Sequence, residues 1–145
     1  GSTDEGVSFC VDFAGVTLFH AGDLNLWHWR DESSVTEIES AERAFYDCVA
    51  PIPKQKIDVA FFPVDPRQGS MYDAGAGYFI MTVKPKVFIP MHFQAPGHSN
   101  HRLRAPEDFT GIFEGNGANV QRYDTNRMTL TPDTPAQVVI FRRPE

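Results

Sequence analysis

Two side chains able to hold a metal ion stand at the ends of two apolar runs. Asp23 follows Val16-Thr17-Leu18-Phe19-His20-Ala21-Gly22, and His92 follows Lys86-Val87-Phe88-Ile89-Pro90-Met91. A carboxylate and an imidazole delivered at strand exits suit Zn²⁺, Mn²⁺ or Fe. The chemistry they point to is that of a bound divalent ion, of the kind metal-dependent hydrolases use. The pair is incomplete, because a catalytic metal normally takes three protein ligands and keeps one position open.

Other polar residues lie close to these two in the sequence. His20 and Asn25 flank Asp23, and the alternation of the strand places His20 near it. Asp65-Pro66-Arg67 follows the apolar run Ile57–Val64, at the kind of strand end where α/β sheets bind ligands. Arg67 could hold a phosphate or carboxylate there, or could simply pair with Asp65 in a turn. Trp27-His28-Trp29 reads chiefly as a packed aromatic loop, since tryptophans bury large areas. His98 and His101 have no acidic or thiol partner pattern near them. No nucleophilic Ser or Cys motif and no phosphate-cradling glycine loop occurs.

The elements that must carry these residues are legible in outline. Val7 to Phe13 and Val16 to His20 alternate around Ala14-Gly15 and predict a hairpin. Ser34 and Glu37 have capping-box spacing, and apolar residues then recur at helical intervals to Val49, before Pro51 and Pro53. Ile57 to Val64 is almost wholly apolar and predicts a strand covered on both faces. Asp73 to Lys84 predicts a second helix, with Gly75 and Gly77 allowing close packing. Val87 to Ile89 predicts another buried strand, and Pro106 to Glu114 a short helix. Val120 to Tyr123, Met128 to Thr131 and Val138 to Arg142 read as short extended pieces. The order β-β-α-β-α-β implies a layered α/β fold.

On the residues Ala21-Gly22-Asp23, Ile57–Val64 and Pro85–Phe93, with the opening Ser2-Thr3-Asp4-Glu5-Gly6-Val7-Ser8-Phe9, the chain resembles the C-terminal half of the metallo-β-lactamase fold. The nearest branch by resemblance is that of ascorbate phosphate lactonases and related metal-dependent hydrolases. Residues 1–93 carry the likeness, and 94–145 form a variable tail of the same domain. The resemblance implies half of a four-layer αββα sandwich: one mixed β-sheet with helices on one face. It also implies that Asp23 is a bridging ligand and His92 the final histidine ligand of two Zn or Mn ions. The family's H-x-H-x-D-H cluster has no counterpart here, and Ser2, Thr3 and Asp4 stand where its middle histidine falls. Asp4 could serve in its place as an oxygen ligand or hydrogen-bond partner. The expectation is therefore a part of a longer hydrolase, inactive alone, that acts on a small-molecule substrate. It would associate with a second copy or with the N-terminal half that holds the remaining ligands and the general base. The competing expectation is a non-catalytic half-domain that serves as a structural or binding module.

Composition narrows the class. The 145 residues carry a formal net charge of -6, and the basic residues are scattered, which argues against a nucleic-acid surface. No apolar run is long enough to span a membrane. Cys10 and Cys48 are the only cysteines and read as small buried residues in a reducing cytoplasm.

Overall fold

The computed structural model describes residues 1–29, 32–52, 56–93, 106–115 and 117–141. His98, His101 and Arg142 fall outside them. Among the described residues the elements run in the order β1 (Phe9–Phe13), β2 (Val16–His20), α1 (Val35–Val49), β3 (Val59–Pro63), a 3₁₀ turn (Pro66–Met71), α2 (Ala74–Val83), β4 (Val87–Met91), α3 (Pro106–Gly115), β5 (Val120–Tyr123) and β6 (Gln137–Phe141). The six strands form one mixed sheet in the order β1-β2-β3-β4-β6-β5. Among the described residues the β1–β2 hairpin is antiparallel, and the β2–β3, β3–β4, β4–β6 and β5–β6 pairings are parallel.

Parallel pairing matters for the site, because β2, β3 and β4 all run out at the same edge of the sheet. Asp58 helps set that register. Its backbone N–H donates to Thr17 O at 2.9 Å, and its carboxylate takes the Thr17 N–H at 3.0 Å. β2 and β3 are thereby clamped just where their pairing begins.

Side chains alternate between two unlike faces. On one, Phe19, Ala60, Phe62, Phe88 and Val138 from the strands merge with Phe45 and Val49 of α1, Phe79 of α2 and Phe109 of α3 in a single core. All three helices therefore lie on that face, as the sequence led us to expect. Phe62 packs against Phe79 in a tilted pair with ring centroids 4.5 Å apart. Helix α1 starts with the capping box seen in the sequence: Ser34 Oγ takes the Glu37 N–H, and the Glu37 carboxylate takes the Ser34 N–H. Gly75 lies against Asn25, where a Cβ would overlap Asn25 Oδ1, so α2 needs a glycine there; Gly77 faces open space.

The other face is only partly covered. Val87, Ile89 and Val139 are buried beneath Met128, Leu130 and Tyr123. Residues 128–131, read as an extended piece, form no strand; they act as a flap across the β4–β6 end. The β1–β2 end stands open, with Phe9 55%, Val11 49% and Phe13 79% exposed. Cys10 departs from expectation here. It is exposed rather than buried, because β1 is an edge strand and every residue on it reaches solvent.

Candidate metal centre

Asp23, Asp65 and His92 leave the sheet one after another at the ends of β2, β3 and β4. Gly22 makes the first exit possible. Its φ of 59° is left-handed, and a Cβ there would overlap the Val7 carbonyl oxygen. His20 braces the same turn, its Nδ1 accepting the Gly22 N–H at 3.0 Å while its ring stacks on Phe61. Trp27 closes the turn from the far side, with Nε1 donating to Asp23 O at 2.7 Å. His92 is also left-handed, at φ 74°, so β4 stops there and the imidazole swings over the sheet edge.

The side chains converge. His92 Nε2 lies 3.1 Å from Asp23 Oδ1, and His92 Nδ1 lies 2.9 Å from Asp65 Oδ2. Asp65 is fully buried. Its Oδ1 accepts the Arg67 backbone N–H and Nε, each at 2.9 Å. Its Oδ2 accepts Arg67 Nε at 2.9 Å and also pairs with Nη2. Arg67 thus pairs with Asp65 in the turn, and it also lines the cleft beside His92. Trp27 stands beside the imidazole, with ring centroids 5.9 Å apart. A cleft of about 310 Å³ opens next to Asp65, Arg67, His92 and Phe93.

The electrostatics are set by burial against pairing. Burial opposes ionisation of Asp65, but hydrogen bonds from His92 and Arg67 outweigh it and hold the carboxyl well below the usual range. The hydrogen bond to Asp65 raises His92 above its ordinary value against the pull of burial, and the bond to Asp23 adds to it. Pairing with Asp65 raises Arg67 likewise, with smaller contributions from Asp23 and Asp4.

The remaining sequence-predicted residues take supporting places. Asn25 is buried, its Nδ2 donating to Gln68 Oε1 at 2.8 Å. Its backbone is bracketed by Thr3, whose Oγ1 donates to Asn25 O at 2.6 Å and accepts from Asn25 N at 3.0 Å. Asp4 is exposed and caps the Glu5 N–H at 2.7 Å. Gln68, buried and donating to Leu26 O at 2.6 Å, was not foreseen; it ties the 3₁₀ turn after β3 to the loop after β2. A lone glutamine in a turn gives no sequence signal of that kind.

Asp23 and His92 fit a metal ion as two of its ligands. Atoms bound tetrahedrally at about 2.0 Å from zinc lie roughly 3.3 Å apart, close to the separation observed here. Among the described residues no group of three or more His, Cys, Asp or Glu side chains is arranged to hold a metal.

No protein-family model matches this sequence, and no curated protein matches it. Among solved structures, the chain superimposes with a TM-score of 0.54 on a Thermotoga maritima protein ascribed to the Zn-dependent hydrolases of the metallo-β-lactamase superfamily. The two are 22% identical, and the alignment covers 92% of this chain and 57% of that one. The chain thus spans a little over half the length of the structure it resembles. Its single mixed sheet, backed by helices on one face, has the architecture of half a metallo-β-lactamase fold.

Proposed function

We propose that this chain supplies Asp23 and His92 to the metal centre of a metal-dependent hydrolase acting on a small-molecule substrate. The observation that carries the reading is the convergence of Asp23 Oδ1 and His92 Nε2 to 3.1 Å at the carboxyl edge of the parallel strands. Each is a good ligand for Zn or Mn, and a strand edge of this kind is where α/β sheets bind and act on ligands.

A bound divalent ion would supply an acidified water and a positive charge to polarise the bond that breaks. The chain's own residues hold the geometry. Asp23 presents a carboxylate on a turn fixed by Gly22, His20 and Trp27. His92 presents a ring nitrogen held by its backbone. Trp27 forms an apolar wall, and the cleft at Arg67 gives the substrate room. The remaining ligands and the general base would come from elsewhere in the protein. The open β1–β2 face is suited to packing against that second part or a second copy. Two cysteines in 145 residues suit a cytoplasmic setting.

The test is hydrolysis by the intact protein, loaded with Zn²⁺ or Mn²⁺, across lactone, phosphoester, amide and thioester substrates. Asp23→Asn and His92→Ala should each lower turnover by at least about 100-fold. Turnover untouched by both changes would remove the metal-centre reading. An intact protein that binds no metal and hydrolyses none of these would make a structural or binding module the better account.

A further inference from the structure

We infer that Asp65, anchored by Arg67, is a positioning residue that fixes which nitrogen His92 offers to the metal. The inference rests on the metal-centre reading above and goes one step further into it.

Asp65 is an unusual acid. It is fully buried at the end of β3, where an unpaired carboxylate would be costly. Its place is set locally: it caps the 3₁₀ turn by accepting the Arg67 backbone N–H, and Pro66 holds the first position of that turn. The Arg67 guanidinium then folds back onto both carboxylate oxygens. A carboxylate so held is an acceptor only. His92 Nδ1, 2.9 Å from Oδ2, must therefore carry a proton and donate it.

The consequence falls on the other nitrogen. With Nδ1 protonated, a neutral His92 turns the Nε2 lone pair towards Asp23 Oδ1, 3.1 Å away. Two acceptors facing each other at that distance repel unless something positive lies between them. A proton can fill that place, or a metal ion. Asp65 thus selects the tautomer that makes His92 an Nε2 ligand, and Arg67 keeps Asp65 ionised and still. Metal-bound histidines commonly rely on a carboxylate behind them in this way. Nothing about the sequence Asp-Pro-Arg separates this role from an ordinary ion-paired turn; the 2.9 Å contact across 27 residues does.

The experiment is ¹⁵N NMR of the histidine rings in the intact protein, at alkaline pH where His92 is neutral, together with Zn²⁺ affinity by competition with a chelator. Asp65→Asn keeps the shape and removes the charge, and Asp65→Glu restores the charge. The expected result is Nδ1–H on His92 in the wild type, a mixture of tautomers in Asp65→Asn, and a Zn²⁺ affinity lower by roughly 10–100-fold. Asp65→Glu should recover part of both, and Arg67→Lys, which keeps a charge but loses the fork, should fall between. An unchanged tautomer and affinity in Asp65→Asn overturns the positioning role, while the metal centre stands if Asp23→Asn still weakens Zn²⁺ binding. Zn²⁺ binding indifferent to both Asp23→Asn and His92→Ala overturns the metal centre and this inference with it. If Asp65→Asn does not fold, the ring spectrum of Arg67→Lys decides: a wild-type tautomer with wild-type affinity counts against the inference.

Discussion

Asp23 and His92 are 69 residues apart in sequence, and their side chains meet at 3.1 Å. What joins them is β3, which lies between β2 and β4 and pairs in parallel with both. The contact therefore reports the register of three strands at once. A slip by one residue in any of them would turn the side chains to the wrong face.

Stability should depend on pH from both sides of a plateau. His92 has a folded value raised above its ordinary 6.5, so its contribution is full below 6.5 and fades as pH rises through the raised value. Asp65 has a folded value lowered from 3.8, so its contribution is present above 3.8 and fades as pH falls through the lowered value. The thermal midpoint should be highest between these limits. Calorimetry across pH on the wild type and His92→Gln checks this; the alkaline decline should flatten in the variant, and an identical profile in both would count against it.

Gly22→Ala should destabilise the chain by at least about 1–2 kcal/mol, the cost of a left-handed backbone at a residue with a Cβ. Overlap with the Val7 carbonyl oxygen adds to that. Denaturant unfolding measures the loss, and a wild-type midpoint would contradict the close approach.

Removing the Arg67 head group leaves the buried Asp65 carboxylate with His92 as its remaining side-chain partner. Arg67 itself reaches solvent while Asp65 does not, so Arg67→Met should cost about 1–3 kcal/mol, the range for a buried acceptor that loses its donor. Phe62→Ala, which empties the middle of the aromatic core, should cost about 3–5 kcal/mol. If Arg67→Met is neutral while Phe62→Ala is not, the ion pair has been overvalued.

The open end of the sheet predicts association. Phe9→Ser and Phe13→Ser alter side chains that are more than half exposed, so folding stability should move by no more than about 0.5 kcal/mol. Self-association, or association with the rest of the protein, should weaken clearly. Sedimentation velocity decides, and a compact monomer indifferent to both changes would refute the covered-face reading.

The chain alone should hold Zn²⁺ or Mn²⁺ weakly or not at all, since two ligands are too few. Tight stoichiometric binding in titration calorimetry would reveal a third ligand.

Much of this was legible in the sequence, for identifiable reasons. Strong periodicity and the capping box placed α1 at its observed ends, and the apolar runs located β2, β3 and β4 to within two residues. Asp23 and His92 stood out because each ends such a run. Asp65 was also named at the end of such a run, but its burial was not legible, because a turn acid beside an arginine looks the same whether exposed or buried. Its partner His92 arrives from 27 residues away, a distance no local pattern spans. Cys10 was misjudged for a similar reason: alternation assigns a side chain to a face, but only topology says whether its strand lies at an edge.

The parallel pairings also have a temporal side. The β1–β2 hairpin is local and can close in about 1–10 μs. Setting β2 against β3 must first close a loop from Leu18 to Val59, and pairings so far apart in sequence form slowly. The centre at Asp23 and His92 should therefore assemble among the last events of folding. Trp27, close to His92, offers a fluorescence probe for that moment in a stopped-flow experiment: its signal should lag behind the far-ultraviolet signal of the helices. A chain halted early would have its hairpin and α1 but no place to put a metal.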